Sequence, residues 1–148
     1  MASTLRLLHL EQNEEDSGMA LALLAEDGIN CQTRRASTLE GFTDALETEV
    51  FDLVLSDLSR VVDGLAALSI ARKICPELPF IFLTDVSDAR TAYEATKIGA
   101  TDYLLKGRLS HLAPAVKKAL SDAEARQRHP AGQVSRSRGP GRKKGEVW

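Results

Sequence analysis

The chain has 148 residues, an apolar fraction of 43% and a formal net charge of −2. This size and composition fit one domain with a true hydrophobic core and exclude a disordered chain. No apolar run approaches the roughly 20 residues that cross a bilayer, and the first residues lack the basic start and the cleavage site of a secretory signal. We therefore expect a cytoplasmic protein without membrane contact, in which Cys31 and Cys75 are reduced core thiols.

The small net charge hides an asymmetry between the body of the chain and its end. From Arg126 onward the sequence has seven Lys or Arg residues and one acid, against 12 basic and 20 acidic residues before it. Segment 127–148 has almost nothing to bury, which predicts a disordered basic tail behind a domain of residues 1–126. We interpret the tail as a solvated terminus. The alternatives are weak nonspecific binding of nucleic acid and contact with an acidic partner or with its own domain.

Five short β-like runs alternate with five helical patterns along the body of the chain. The runs are LRLLHL (5–10), CQTRRA (31–36), DLVLS (52–56), PFIFLT (79–84) and DYLL (102–105). Asp16 and Ser17 can cap the first helix, and the fourth helix ends at Gly99. The last helix has the longest apolar stripe, from Leu109 to Ala123. We predict a strand followed by a helix, five times.

This order of elements predicts an α/β fold. DLVLS and PFIFLT are nearly continuous apolar runs, as expected for central parallel strands covered on both faces. Alternating strands and helices imply a parallel sheet with helices on both sides, and right-handed crossovers leave few topologies. Among these we choose a flavodoxin-like (βα)5 doubly wound sheet with the strand order 2-1-3-4-5.

Charged and hydroxyl side chains follow the predicted strands at their carboxyl ends, where open α/β sheets bind ligands. Glu11 and Gln12 follow the first strand, Asp57 the third and Lys106 the fifth, while the fourth ends in Thr84. Crowded carboxylates need a hard cation, and Mg²⁺ suits oxygen ligands while keeping waters that a phosphate can replace. A lysine can meet one phosphoryl oxygen and a hydroxyl can donate to another. An aspartate among them can be the nucleophile that becomes an acyl phosphate.

Four segments, in order at strand ends, resemble the receiver domains of two-component response regulators: LEQNEED, DLVLSD, PFIFLT and GATDYLLK. The resemblance covers about residues 5–126. It implies that Asp57 is the phosphoacceptor, that Thr84 and Lys106 meet the phosphoryl group, and that Tyr103 turns inward on activation. The run DYLLKGRLSHLAPAV also resembles, more narrowly, receivers associated with bacterial phytochromes and similar sensor kinases.

The same resemblance implies a Mg²⁺ site formed by Glu11, Asp57 and the backbone carbonyl of Ser59. The sequence departs from the family pattern here, because Gln12 stands in place of the second acid of the metal-binding pair. Asp85 stands where a small residue is usual. We treat Gln12 as the weaker ligand candidate and hypothesise that Asp85 restores the missing charge. The alternative is that Asp85 repels the phosphoryl group and slows the reaction.

Each candidate also has a plainer structural interpretation. Asp57 alone could be a turn residue at a strand end, the lysine a solvated surface residue, the threonine the cap of the next helix and the tyrosine a half-buried strand aromatic. Acidic residues 14–16 are interpreted as a favourable helix start. We interpret His9, inside the first strand, as a core histidine with its hydrogen bonds satisfied.

Taken together, the candidates predict a single-domain response regulator, a switch rather than an enzyme with turnover. A sensor histidine kinase phosphorylates Asp57 with Mg²⁺ bound, and the signal passes to a downstream protein because no DNA-reading domain follows the receiver. The missing GxGxxG and GxxxxGK[ST] loops argue against a nucleotide-binding enzyme. The alternative is a pseudo-receiver that binds protein without phosphorylation, which Gln12 and Asp85 favour. A homodimer through the apolar stripe of the last helix is left open.

Overall fold

The computed structural model of the protein describes residues 4–58, 63–85 and 88–128. Within them, strands and α-helices alternate in the predicted order. The strands are β1 (Leu5–Leu10), β2 (Cys31–Ala36), β3 (Leu53–Ser56), β4 (Phe80–Thr84) and β5 (Asp102–Leu105). The helices are α1 (Glu14–Glu26), α2 (Leu39–Thr48), α3 (Gly64–Ile74), α4 (Ala89–Ile98) and α5 (Leu112–Arg128). A 3-10 turn at Lys106–His111 joins β5 to α5.

The five strands form one parallel sheet in the order β2-β1-β3-β4-β5. The predicted fold class and strand order are therefore confirmed. β1 and β3 lie next to each other at the centre, with Leu10 opposite Ser56 at their carboxyl ends. The first two strands follow each other in sequence and in space, and the chain then crosses to the other side of β1. Open sheets bind ligands at such a reversal, which here lies at the carboxyl ends of β1 and β3.

Two hydrophobic layers cover the sheet. On one face, α1 and α5 pack on Leu7, Leu55 and Leu83. On the other face, α2, α3 and α4 pack around Phe80 and Phe82 of β4. The layer under α1 and α5 is aliphatic, whereas the layer under α2, α3 and α4 also contains aromatic rings. Burial of this kind contributes roughly 1.5–3 kcal/mol for each large side chain. This packing holds the strand ends in fixed relative positions.

The structure corrects two predicted helix boundaries. α1 begins at Glu14, not after Asp16 or Ser17, because Asn13 is the N-cap and its side chain accepts a hydrogen bond from the Asp16 N–H. Leu109 belongs to the 3-10 turn rather than to α5. Gly99 ends α4 as predicted, with a φ of 117° that glycine adopts without strain.

Some predictions fall at the limits of the described residues. α5 continues to Arg128, past the predicted domain boundary at 126, and the predicted tail from residue 129 lies outside the described residues. Cys31 and Cys75 are free thiols but only half-buried. None of the helices in the described part of the chain combines the length and the apolarity needed to cross a bilayer.

Candidate functional site

The carboxyl edge of the sheet brings together residues that are far apart in the sequence. Glu11 directly follows β1, and its backbone N–H donates to the carbonyl of Ala36 (2.9 Å). Asp57 directly follows β3, and its N–H donates to the carbonyl of Leu10 (2.8 Å). These bonds extend the ladder of the sheet beyond the strands. They hold the two acids at neighbouring positions of the edge, where Glu11 is 2% and Asp57 8% exposed.

Lys106, the first residue after β5, extends its ammonium group to these carboxylates. Its Nζ lies 2.7 Å from Oε1 of Glu11, 2.7 Å from Oδ2 of Asp16 and 3.7 Å from Oδ1 of Asp57. Burial alone would lower the pKa of Lys106. The hydrogen bonds to Asp16 and Glu11 and the charge of Asp57 outweigh burial, so its pKa lies well above the usual range. The site therefore contains a permanent positive charge surrounded by three carboxylates.

Thr84 ends β4 beside the acidic residues and is fully buried. Its hydroxyl donates to the carbonyl of Leu58, the residue after Asp57, at 2.7 Å. The plainer interpretation of Thr84 as the cap of the next helix is wrong, because α4 begins at Ala89 with Asp88 as its N-cap. The hydroxyl is thus bonded to the loop that carries the predicted phosphoacceptor.

Tyr103 lies on β5 and is half-buried. Its ring centroid is 6.0 Å from that of Phe82, at the end of a row of rings that continues to Phe80 and Phe42. Burial, followed by the charge of Asp88, raises the pKa of the Tyr103 hydroxyl, so the hydroxyl is neutral at pH 7. Tyr103 therefore connects the edge of the sheet to the aromatic layer under α2 and α3.

The remaining metal-site candidates are placed differently. Gln12 is exposed, and its Nε2 donates to the carbonyl of Ser37 (3.4 Å), towards the connection between β2 and α2. Asp85 is exposed at the end of β4. Among the described residues, the carboxylates that pair with Lys106 are the three named above and do not include Asp85. Ser59 lies outside the described residues.

Asp16 is the site residue that the sequence analysis missed. The sequence predicts only a helix cap or a favourable acidic helix start at this position, yet its carboxylate forms a 2.7 Å hydrogen bond with Lys106, 90 positions away in the sequence. The sequence gives a partial signal for its place on the helix but none for its partner. Asp16 directly precedes Ser17, which heads the buried stripe of α1 with Ala20 and Leu24, so its side chain had to lie beside the face that packs on the sheet.

A buried histidine lies behind these groups. His9 of β1 has no exposed surface, and its Nδ1 lies 2.8 Å from the hydroxyl of the buried Ser17. Nε2 has no hydrogen-bond partner among the described residues, so the prediction of a satisfied core histidine holds for one ring nitrogen only. Burial, and after it the charge of Lys106, lowers the pKa of His9 to about 4. The ring is therefore neutral at pH 7.

The donors at this edge fit Mg²⁺ with a small set of protein ligands. Glu11 and Asp57 both contact Lys106, whereas Gln12 points to a backbone carbonyl elsewhere. In the described ranges, no group of three or more His, Cys, Asp or Glu side chains is arranged to hold a metal ion. Mg²⁺ is commonly bound by one or two carboxylates and keeps several waters, which phosphate oxygens can replace. Glu11 and Asp57 therefore supply as many carboxylates as Mg²⁺ commonly uses, although Gln12 replaces the usual second acid.

Comparison with known proteins gives both sequence and structural relatives. The model of the response regulator receiver domain family matches residues 13–117. Transcriptional regulatory protein ZraR of Escherichia coli (strain K12) is 41% identical over 64 residues, which are 43% of this chain but 14% of ZraR. NtrX from Brucella abortus superposes with a TM-score of 0.75 at 22% identity, over 86% of this chain and 29% of NtrX. A response regulator receiver domain protein from Clostridium thermocellum superposes with a TM-score of 0.70 at 27% identity, over 82% and 98% of the chains.

The family match agrees with the fold and with the position of the charged and hydroxyl side chains at the carboxyl edge of the sheet. It covers most of the chain and includes Asp57, Thr84 and Lys106, but it begins after Glu11 and Gln12, where the sequence departs from the usual acid pair. Phosphorylation and Mg²⁺ binding are typical of this family, which serves two-component signalling. The chain belongs to the response regulator receiver domain family.

Proposed function

We propose that this chain is a phosphorylation switch in which Asp57 accepts a phosphoryl group from a partner sensor histidine kinase. The observation that carries the proposal is the 3.7 Å approach of the Asp57 carboxylate to the Lys106 ammonium at the carboxyl edge of the sheet. Asp57 is 8% exposed, which leaves a narrow approach for a donor while excluding most water. Buried charged groups that converge at a sheet edge are typical of functional sites.

The chemistry assigned to Asp57 is nucleophilic. A carboxylate oxygen attacks the phosphorus of a phosphohistidine, the new O–P bond forms, and the P–N bond breaks as the imidazole leaves with its electron pair. Glu11 and Asp57, with the carbonyl of Ser59, would hold Mg²⁺, which neutralises charge on the phosphoryl oxygens. Lys106 supplies a second positive charge to these oxygens. The protein thereby aligns the donor and balances its charge.

The switch then uses the hydroxyl of Thr84. In the structure this hydroxyl donates to the Leu58 carbonyl, and a phosphoryl oxygen on Asp57 is a charged and therefore stronger acceptor. Transfer of the hydrogen bond draws Thr84 towards Asp57, and Tyr103 turns inward beside it. The altered face of α4, β5 and α5 signals to a downstream protein, since a local change of charge shifts a two-state element.

The remaining parts of the proposal concern the rest of the chain. Residues 1–126 act as the receiver and residues 127–148 as a basic tail, in the cytoplasm. Contact with nucleic acid is limited to weak attraction by the tail, and a homodimer through α5 is left open. The likeness to receivers associated with bacterial phytochromes stays a prediction about the partner kinase.

The test is the intact mass of the protein after incubation with acetyl phosphate, with and without Mg²⁺. We expect a Mg²⁺-dependent gain of about 80 Da, the mass of one phosphoryl group, which Asp57→Asn abolishes. Asp44→Asn is the matched control, because it makes the same chemical change on the exposed face of α2. A gain that persists in Asp57→Asn would show that the acceptor is another residue.

A second candidate function is a pseudo-receiver that binds a protein without phosphorylation. The orientation of Gln12 favours it, because its amide contacts Ser37 and supplies no carboxylate to the metal. The same mass measurement separates the two functions. A folded wild-type protein that gains no mass at any Mg²⁺ concentration supports the pseudo-receiver, and pull-down of the partner should then be insensitive to Asp57→Asn.

A further inference from the structure

One of the two carboxylates closest to Lys106 belongs to Asp16, a residue that no metal-binding or acceptor role explains; the other belongs to Glu11. The Asp16 carboxylate lies 2.7 Å from the Lys106 ammonium, whereas Asp57 lies 3.7 Å from it. Asp16 is on α1 and Lys106 follows β5, so the pair joins two elements that are separated by 90 positions in the sequence. The Lys106 side chain is 14% and the Asp16 side chain 34% exposed, which leaves the contact only partly screened by water.

Helix capping does not account for the position of the Asp16 carboxylate. Asp16 is the third residue of α1, and an acidic side chain at this position commonly turns back to the backbone N–H of the N-cap residue. Here that N–H, on Asn13, donates to Oε2 of Glu11 at 3.0 Å. The Asn13 side chain in turn accepts from the Asp16 N–H. Glu11 thus performs the usual capping task, and the Asp16 carboxylate is left to contact Lys106.

The first turn of α1, which carries Asp16, is held to β1 by a hydrogen bond between Ser17 and His9. The next residue, Ser17, is 4% exposed and its hydroxyl is 2.8 Å from Nδ1 of the fully buried His9. With Asn13 bonded on one side and Ser17 on the other, the backbone of Asp16 has little freedom. A carboxylate on a fixed backbone is a preorganised partner for an ammonium group, because less conformational entropy is lost when the contact forms.

We propose that Asp16 is a positioning residue that holds Lys106 in a resting position and competes with the phosphoryl group on Asp57 for its ammonium. The inference rests on the proposed role of Asp57 as acceptor. To reach a phosphoryl oxygen, the ammonium must weaken its contact with Asp16. Asp16 therefore slows phosphorylation and keeps the unphosphorylated state ordered.

Asp16→Asn tests the proposal, because asparagine keeps the shape of the side chain and removes its charge. We expect the rate of phosphorylation by acetyl phosphate, followed by intact mass, to rise about fivefold to tenfold, and a tenfold change corresponds to about 1.4 kcal/mol. Glu15→Gln is the matched control. It removes the same charge from the same helical turn, but Glu15 is exposed. Asp16→Glu should restore a rate close to that of the wild type.

A second measurement does not depend on phosphorylation. The NMR signal of the Lys106 ammonium, assigned with Lys106→Arg, should be protected from exchange with water in the wild type. Asp16→Asn should speed this exchange, and Glu15→Gln should not. If the proposed function is wrong, the wild type gains no mass with acetyl phosphate. The exchange measurement then still tests whether Asp16 positions Lys106.

Three outcomes would overturn the proposal. Equal acceleration by Asp16→Asn and Glu15→Gln would mean that only the overall negative charge matters. A tenfold loss of Mg²⁺ affinity in Asp16→Asn would make Asp16 a metal-site acid instead. Unchanged ammonium exchange in Asp16→Asn would show that the contact does not position Lys106 in solution.

Discussion

The buried ring of His9 makes the stability of this domain sensitive to mild acid. In the folded state burial, and then Lys106 and Arg35, lower its pKa, while Asp57 and Asp16 act against them, and the result is about 4 instead of 6.5. Between these values the unfolded chain binds one proton more than the folded chain. The free energy of unfolding therefore falls as pH falls, by about 1.4 kcal/mol per pH unit at most. Over the whole window the loss is about 3 kcal/mol.

Urea unfolding at a series of pH values from 7.5 to 4, monitored by far-UV circular dichroism, measures this loss. The matched variant is the double substitution His9→Leu with Ser17→Ala. Removing both partners of a buried hydrogen bond leaves neither group unsatisfied, so the variant should fold. Its unfolding free energy should depend on pH less steeply than that of the wild type, by about one proton between pH 6 and 4.5.

Parallel curves for the wild type and the double variant would refute this reasoning. A direct check uses the NMR shift of the His9 ring carbon in the wild type. The shift should stay constant from pH 7.5 down to about 5, because the ring stays neutral in the folded protein. A midpoint near 6.5 would show that the ring reaches water in solution, and the stability argument would then fail.

Two further substitutions test packing, Gly64 beside the site and Arg72 at the amino ends of β4 and β5, both by the urea midpoint at pH 7. Gly64→Ala should destabilise the fold by about 1–3 kcal/mol, because a Cβ there would lie 2.5 Å from the backbone carbonyl oxygen of Asp57. Its control is Gly18→Ala, where a Cβ meets open space. That change should be neutral or stabilising by up to about 1 kcal/mol. Arg72→Met should lower stability by about 2–3 kcal/mol. The guanidinium makes three hydrogen bonds of 2.7–3.0 Å to carbonyls of the α3–β4 and α4–β5 connections. The exposed Lys73→Met is its control, and equal midpoints for the two variants would contradict this assignment.

The strands could be predicted because each is a short β-like run that differs in composition from the helical segments on either side. β3 and β4 are buried throughout, and such strands appear in a sequence as unbroken apolar runs. β2 is mostly polar, since it is an edge strand with one neighbouring strand. The alternation of elements leaves few topologies for a parallel sheet, and the order 2-1-3-4-5 is a choice among them.

The start of α1 could not be predicted in the same way, and this one boundary hid a site residue. Asp16 and Ser17 are good capping residues, but so is Asn13, and local preference does not rank them. A tertiary contact decides where the helix begins. Ser17 bonds to His9 and must therefore lie on the buried face of the helix. With the cap at Asn13, Asp16 falls in the first turn rather than before it. Its contact with Lys106 spans 90 positions, a distance over which residue spacing carries no information.

The position of Asp16 also bears on what the loss of an acid at Gln12 changes. The carboxylates of Glu11, Asp16 and Asp57 surround one lysine, so these four groups have the same formal charge as the usual acid pair, an acceptor and a lysine. Long-range attraction of a divalent cation depends on this total charge and is preserved. Direct coordination depends on which oxygens face the cation. Here the third carboxylate, that of Asp16, contacts Lys106, whereas the second acid of the usual pair would face the metal. Under the proposed function, the departure at Gln12 therefore changes the contacts that Lys106 must lose before it meets a phosphoryl group more than it changes the attraction for Mg²⁺.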